Sequence, residues 1–313
     1  MKILLTGAGG PAGRALYPQL VDRGVDVVRV DMAGGEGIVA VPPARHKNFI
    51  SFINELVDTE GIDAVIPTVQ EELPVFAAAT MFVPVLISEP NAVAIADDKW
   101  LTYHALNRAG VSVPRSTTPG ALDTRTLGWL GDRVISKPRR SRGGRGVIVH
   151  ENPRADELAT LPEDSIIQEF APGEEYAPNV FVSNERTECV VLRKTALAYG
   201  HHGNAVATEV VDEPGIAQLA IDAARALNLR GPVDVDIRRR RDGTPVVLEI
   251  NARFGANSAK APVIVEAALE LLANAQPNLR RMPEHDLDKD EIGRWLDAQA
   301  AMSAPAGEGV DSQ

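Results

Sequence analysis

The stretch Val233-Asp234-Val235-Asp236-Ile237-Arg238-Arg239-Arg240-Arg241-Asp242-Gly243-Thr244-Pro245-Val246-Val247-Leu248-Glu249-Ile250-Asn251 alternates acidic or amide residues with branched apolar ones on either side of Asp242-Gly243. Such alternation is the period of a half-buried strand, and Asp-Gly is a favoured two-residue hairpin turn. If that turn closes the pair, Asp236 faces Glu249 and Asp234 faces Asn251. All four then share one face, while Val235, Ile237, Leu248 and Ile250 share the other and enter the core. Directly opposed Cβ atoms lie about 4.5–5.5 Å apart, so two facing carboxylates repel unless a cation or proton sits between them. Oxygen ligands beside an amide suit magnesium, which binds through a few carboxylates and keeps waters or phosphate oxygens. The plainer alternative is a solvated acidic face neutralised by the four arginines 238–241, which near the turn are expected to point to solvent.

Upstream lies a second constellation, Ile135-Ser136-Lys137-Pro138-Arg139-Arg140-Ser141-Arg142-Gly143-Gly144-Arg145-Gly146-Val147. A strand ends in lysine, and a glycine- and arginine-rich loop leads into another strand. Backbone N–H groups freed by glycine, together with Lys and Arg charge, suit a polyphosphate. From Arg133 to Arg145 there are six basic residues and no acid, in a chain of net charge −11. Alone this would be a solvated charge run; beside the acidic hairpin it reads as a phosphate lid. It is not a P-loop, because no Gly-x-x-x-x-Gly-Lys-Ser/Thr precedes a helix.

Further out, the first ninety or so residues alternate apolar strands (3–5, 25–30, 64–67 and 83–87) with helices (12–23 and 49–59), the pattern of a doubly wound parallel sheet. Glu89-Pro90-Asn91 breaks that pattern, and a helix is expected over 98–109. Strands follow at 134–137, 147–150 and 166–170, then a meander pair at 180–182 and 189–194. Helices are expected over 215–228 and 262–274 around the hairpin. The fold class is thus α/β with α+β character. Three segments are expected: an N-terminal unit over 1–90; a second over 91–276, divided into a lid (113–170) and a metal-binding core (171–276); and an acidic tail over 277–313. The tail carries eight acids against four bases. A short helix near 290–302 and a disordered end are expected there.

Thr6-Gly7-Ala8-Gly9-Gly10-Pro11-Ala12-Gly13, with Asp31 ending the second strand, matches a dinucleotide fingerprint. An NAD(P)-dependent reductase or epimerase is therefore the alternative function. Such enzymes resemble one another in a Tyr-x-x-x-Lys pair, and none of Tyr17, Tyr103, Tyr176 and Tyr199 has a lysine four positions later. A structural or substrate-side role for this turn is the better expectation.

Composition narrows the rest. The 32 Lys+Arg against 43 Asp+Glu argue against nucleic acid or an anionic membrane as partner. Cys189, the single cysteine, sits in an apolar run and offers neither a disulfide nor a zinc cluster. The apolar start stops at Thr6, too early for a signal peptide, and no run is long enough to span a bilayer. A cytoplasmic enzyme is expected.

Five ordered motifs carry a resemblance. They are Asp98-Lys99; Ala109-Gly110-Val111-Ser112-Val113-Pro114; Lys137-Pro138 with its glycine loop; Gln168-Glu169-Phe170-Ala171-Pro172-Gly173-Glu174-Glu175; and Glu249-Ile250-Asn251-Ala252-Arg253. Over roughly residues 1–275 the chain resembles the ATP-grasp superfamily, most closely the synthetase-like proteins related to the large subunit of carbamoyl phosphate synthetase. The resemblance implies an ATP-grasp fold behind a doubly wound pre-ATP-grasp domain. It implies an ATP-dependent carboxylate–amine or carboxylate–thiol ligase working through an acyl phosphate, with ATP and Mg2+ (or Mn2+) and release of ADP and phosphate. By the same resemblance Lys99 and Lys137 contact the ATP phosphates, and Gly143, Gly144 and Gly146 belong to the lid. Glu169, Phe170 and Ala171 form the adenine hinge, and Glu175 holds the ribose. Asp236, Glu249 and Asn251 bind the metal, and Arg253 stabilises the transferring phosphoryl group. Where the family usually places an aspartate after the ribose glutamate, this chain has Asn179. The glutaminase partner and second synthetase half are absent from this chain, so carbamoyl phosphate synthesis by it alone is not expected.

The substrate is less legible. Arg193 and Lys194 could grip a phosphate or carboxylate, His201 or His202 could act as a base, and Asn257, Ser258 and Lys260 could face the acceptor. An amino acid or similar small carboxylate, joined to a small amine, is the expectation, with a homodimer among the assemblies allowed. A non-catalytic ATP-binding regulator is a third reading, disfavoured because the metal ligands and Arg253 are all present.

Overall fold

Apolar runs at the start of the chain pair as parallel strands because helices cover both faces of the sheet they make. β1 (Lys2–Leu5), β2 (Asp26–Asp31), β3 (Val39–Ala40) and β4 (Ala64–Ile66) lie in the order β3-β2-β1-β4. Helix α1 (Pro11–Asp22) packs Leu16 and Leu20 with Ile3 and Leu5, while α2 (Phe49–Glu60) packs Phe49, Phe52 and Ile53 with Leu4 on the other side. The strand expected over 83–87 is reduced to a single parallel bridge between Val65 and Val85. The computed structural model describes residues 1–197 and 205–275. The expected tail over 277–313, its helix at 290–302, and His201 and His202 lie outside the described residues.

Helices α3 (Leu73–Ala78), α4 (Pro90–Asp97) and α5 (Lys99–Arg108) come next. Helix α4 corrects the reading of Glu89-Pro90-Asn91 as a break. Glu89 is its N-cap and Pro90 its first residue, where a missing N–H costs nothing. Helix α5 is capped by Asp98, whose Oδ1 accepts from the Trp100 and Leu101 amides at 2.9 and 3.3 Å.

A second, antiparallel sheet orders β5 (Ser116–Thr117), β8 (Ser165–Glu169), β6 (Arg133–Pro138) and β7 (Ile148–Glu151) as β5-β8-β6-β7, with α6 (Thr124–Leu130) and α7 (Ala155–Leu158) in its connections. Its small core joins Leu130, Val134, Leu158 and Ile167.

The third sheet runs β11-β10-β14-β9-β12-β13, with β15 also paired to β14. Its strands are β9 (Glu175–Tyr176), β10 (Asn179–Val182), β11 (Thr187–Val190), β12 (Leu192–Leu197), β13 (Ala205–Val210), β14 (Gly231–Arg239) and β15 (Pro245–Asn251). The single strand expected over 189–194 divides at Val191: β11 pairs with β10, whereas β12 turns to β9 and β13. Helices α8 (Pro214–Ala226) and α9 (Pro262–Ala273) cover this sheet. Helix α9 and Phe254 share one core with β1, β4 and α1, so the N-terminal sheet is sealed by the end of the described chain.

The β14–β15 hairpin pairs Asp234 with Asn251 and Asp236 with Glu249, as the alternation implies. The turn is one residue longer than supposed. The Arg240 amide donates to the Thr244 carbonyl at 2.8 Å, and Gly243 adopts φ 86°. A bulge restores the register, since Ile237 pairs with Val247 rather than Leu248. Val247 therefore joins the core beside Val235, Ile237 and Ile250, and Leu248 lines the cleft instead of the core.

Candidate active site

The cleft, about 380 Å³, opens where the three sheets meet. The β14–β15 hairpin contributes Asp234, Asp236, Glu249 and Asn251, with Arg253 just beyond. β6 contributes Lys137 and the lid turn after it Arg142 to Arg145; α5 contributes Lys99; β8 ends in Glu169, and the segment after it contributes Ala171.

Facing carboxylates are expected to repel, but here lysines compensate them. The Lys194 Nζ donates to Asp236 Oδ1 and to Glu175 Oε1, each at 2.6 Å, and Lys99 Nζ lies 3.5 Å from Glu249 Oε2. Burial acts against charge on Lys194, yet Asp236 and Glu175 outweigh it and raise its pKa. Asp236 thus serves an ion pair with Lys194. Asp234 is pushed above the ordinary carboxylate range, first by burial and then by Asp236, with Arg253 and Lys194 opposing. Its Oδ1 is buried without a hydrogen-bond partner among the described residues.

Among the described residues no group of three or more His, Cys, Asp or Glu side chains is arranged to hold a metal. In the expected set of two carboxylates and an amide, lysine ammoniums sit against both carboxylates. Its chemistry still fits a hard divalent cation, which takes oxygen donors, and the orphaned Asp234 oxygen is an acceptor in want of one.

Lys99 and Lys137 are both buried. Lys99 Nζ donates to the Ser141 carbonyl at 2.7 Å, and Lys137 Nζ to the Leu248 carbonyl at 3.4 Å. Burial, then the charge of Lys99, pushes the Lys137 pKa down to about 8 despite Glu249, Asp236 and Glu175. A buried ammonium set against a second buried cation makes a site that an anion would relieve. Gly143, Gly144 and Gly146 all adopt positive φ, and a Cβ on Gly146 would come within 2.8 Å of the Pro138 ring.

The basic run is more divided than a uniform phosphate lid. Arg139 grips Asp98 with contacts of 2.7 to 3.1 Å, Arg140 reaches it at 3.1 Å, and Arg142 pairs with Glu71 at 2.8 Å. Burial disfavours the Asp98 charge, but Arg139 and the α5 amides hold its pKa below the usual value. Two lid arginines thus brace the start of α5 and the lysine it presents.

At the expected hinge, the buried Glu169 side chain is held by Arg115 and by Arg240, whose Nε donates at 2.6 Å. The Phe170 ring lies under the Arg133 guanidinium at 3.8 Å. The Ala171 amide donates to no backbone acceptor among the described residues. Glu175 faces the cleft between Lys194 and Arg238, the latter at 3.6 Å. Arg253 donates to Asn251 Oδ1 at 3.2 Å and the Phe254 carbonyl at 2.8 Å, while its Nε is buried without a partner among the described residues.

Arg193 is not brought into the cleft. It follows Leu192 on β12 with its side chain on the face opposite Lys194, paired with Glu174 at 2.9 Å and Glu209 at 2.5 Å. The arginine run is also corrected. Arg238 is only 7 % exposed and lines the cleft, Arg239 pairs with Glu213, Arg240 with Glu169, and Arg241 alone is exposed. Period-2 alternation from Asp234 and Asp236 could have placed Arg238 in the site. Asn257 lines the cleft, whereas Ser258 is fully buried and Lys260 donates to the Thr208 carbonyl outside it. Gly7, Gly10, Pro11 and Ala12 of the N-terminal glycine turn line the same cleft, and Asp31 is engaged by the Gly9 amide at 3.1 Å. Among the described residues no helix is long and apolar enough to cross a membrane.

A family model described as an ATP-grasp domain matches residues 96–257. A D-alanine--D-alanine ligase from Cupriavidus taiwanensis is 28% identical over 265 residues, covering 78% of this chain and 77% of the relative. A probable alpha-L-glutamate ligase from Histophilus somni is 24% identical over 201 residues, 59% of this chain and 65% of that one. Among solved structures, an L-amino acid ligase from Bacillus licheniformis superposes with a TM-score of 0.67 at 16% identity, covering 87% of this chain and 74% of its own. At that identity the likeness concerns the fold.

Proposed function

Because the chain belongs to the ATP-grasp family, we propose that it is an ATP-dependent ligase that joins a small carboxylate, an amino acid or a close analogue, to an amine. The observation that carries this reading is the convergence in one cleft of Lys99, Lys137, Lys194 and Arg253 with Asp236, Glu249 and Asn251, beneath a glycine lid. The relatives named above are ligases, two of them for named amino acids, and this supports the C–N bond class. Nothing in the site favours the nicotinamide alternative, since Asp31 is held by the Gly9 and Ala33 amides and the turn opens onto the cleft lined by Lys99 and Lys137.

ATP is a substrate here. Its phosphates fit the buried pair Lys99 and Lys137 and the lid amides; its ribose fits Glu175; its base fits the free Ala171 amide. Asp236, Glu249 and Asn251 would hold Mg2+, which when bound offsets polyphosphate charge. Lys194, paired here with Asp236 and Glu175, would supply a further cation beside the phosphates. In the reaction a substrate carboxylate oxygen attacks the γ-phosphorus and the bond to ADP breaks, giving an acyl phosphate. The amine then attacks the acyl carbon and phosphate departs with the C–O electron pair, while the amine proton passes to solvent. No side-chain nucleophile is needed; this chain's residues position the reactants and stabilise charge, Arg253 at the transferring phosphoryl group. The test is release of ADP and phosphate by the purified protein in magnesium with pairs of carboxylates and amines. Turnover that requires both partners supports the ligase; ATP binding without turnover for any pair points to the regulator.

A further inference from the structure

Among the described residues five acidic side chains line the cleft, and four of them have a cationic partner: Glu169 with Arg240, Glu175 and Asp236 with Lys194, and Glu249 with Lys99. The fifth, Asp234, has none, and its Oδ1 is buried without a hydrogen-bond partner among the described residues. The strand fixes its direction. Val233 and Val235 on either side enter the core, so the Asp234 side chain stands on the cleft face with Asp236. A buried carboxylate oxygen without a donor is costly, and close packing holds the group in place. A Cβ on Gly255 would collide with its Cγ and both its oxygens.

Position along β14 says which reactant meets this carboxylate. Arg238, Asp236 and Asp234 all line the cleft and follow one another at intervals of about 6.5 Å. With ATP placed as above, Arg238 marks the ribose end, since it lies beside Glu175 and donates to the Gly173 carbonyl at 3.3 Å. Asp236 marks the phosphates. Asp234 stands one step beyond, across the register from Asn251, whose Oδ1 accepts from Arg253. An acyl phosphate held at Arg253 therefore has Asp234 beside it. A carboxylate repels phosphates and the carboxylate substrate, and it attracts an N–H donor. We propose that Asp234 seats the amine substrate, its carboxylate accepting an N–H of the amino group and holding the nitrogen beside the acyl carbon. This deepens the ligase reading and rests on it. Asp234 binds and orients; the bonds made and broken, and the passage of the amine proton to solvent, are those already described.

The test begins with magnesium-dependent ADP release, the common L-α-amino acids serving as carboxylates and the same amino acids and ammonia as amines. Hydroxylamine in place of the amine traps an acyl phosphate as a hydroxamate and so reports the first half-reaction alone. Two variants follow. Asp234→Asn keeps the shape and removes the charge, and Gly255→Ala keeps the charge but displaces the carboxylate. Each should raise the KM of the amine roughly tenfold or more, with hydroxamate formation and the KM values of ATP and the carboxylate within about twofold of wild type. A purely structural role would lower both half-reactions together. Asp234→Asn removes a buried charge with an unpaired oxygen, so its melting temperature should not fall and it decides the matter if Gly255→Ala fails to fold. An amine KM that Asp234→Asn leaves unchanged overturns the proposal. So does loss in that variant of the magnesium enhancement of ATP affinity, read by calorimetry, which would make Asp234 a metal ligand. Equal loss of hydroxamate formation overturns it too, by placing Asp234 in phosphoryl transfer. A wild-type protein that forms a hydroxamate yet accepts no amine loses this assignment alone. One that yields neither hydroxamate nor ligated product with any carboxylate loses the ligase reading as well.

Discussion

Replacing Lys137 with methionine should stabilise the nucleotide-free protein while weakening its hold on Mg–ATP. Lys137 is buried beside Lys99, and its pKa falls from 10.5 to about 8, a shift already net of the attraction to Glu249, Asp236 and Glu175. At about 1.4 kcal/mol per unit, the protonated side chain costs the folded state about 3 kcal/mol. The sign follows from linkage: below pH 8 both folded and unfolded chains hold the proton and the cost is present in full. Between pH 8 and 10.5 the unfolded chain binds more protons, so the wild type gains stability as pH rises. Methionine keeps length without charge and removes both the cost and the slope, losing only the long contact to the Leu248 carbonyl. Urea unfolding without nucleotide at pH 7 and pH 10 measures this. The variant should be the more stable at pH 7, and the difference should shrink toward pH 10. Parallel pH profiles, or a variant less stable at pH 7, would refute the idea of two buried cations awaiting an anion. In the presence of ATP the order reverses, with a loss of about 1.5–3 kcal/mol in binding. Near pH 8 wild-type binding should take up about half a proton, measured in buffers of different ionisation enthalpy.

Arg193→Ala should leave turnover near wild type and cost about 0–1 kcal/mol of stability in urea unfolding, because its partners Glu174 and Glu209 are solvent-exposed. Arg238→Met should instead weaken ATP binding about tenfold or more by calorimetry, since it leaves Glu175 with one cation rather than two.

The acidic hairpin face was legible because period-2 alternation survives a one-residue error in the turn. The longer turn shifted the register and the bulge at Leu248 shifted it back, so Asp236 met Glu249 for a reason the sequence does not display. Leu248 itself was misplaced for the same cause. Arg193 and Lys194 could not both enter the cleft, since neighbours on a strand face opposite sides, and only β12's pairing decides which one does. The bracing of Asp98 by Arg139 joins residues far apart in the chain and has no local signature. Helix α4 was hidden by treating proline as a breaker when it stood at a helix start. The glycine turn read correctly as a turn, but its opening onto the ATP cleft depends on how the first sheet packs against α9 and the third sheet.

The central claim is that Asp236 and Glu249 hold a divalent metal that ATP brings into this cleft. Calorimetric titration of ATP into wild type and Glu249→Gln, each with and without magnesium, tests it most directly. Wild type should bind ATP much more tightly in magnesium, and Glu249→Gln should lose most of that enhancement while keeping a cooperative melting transition. An enhancement of equal size in both proteins, or binding of NADH in place of ATP, would contradict the account.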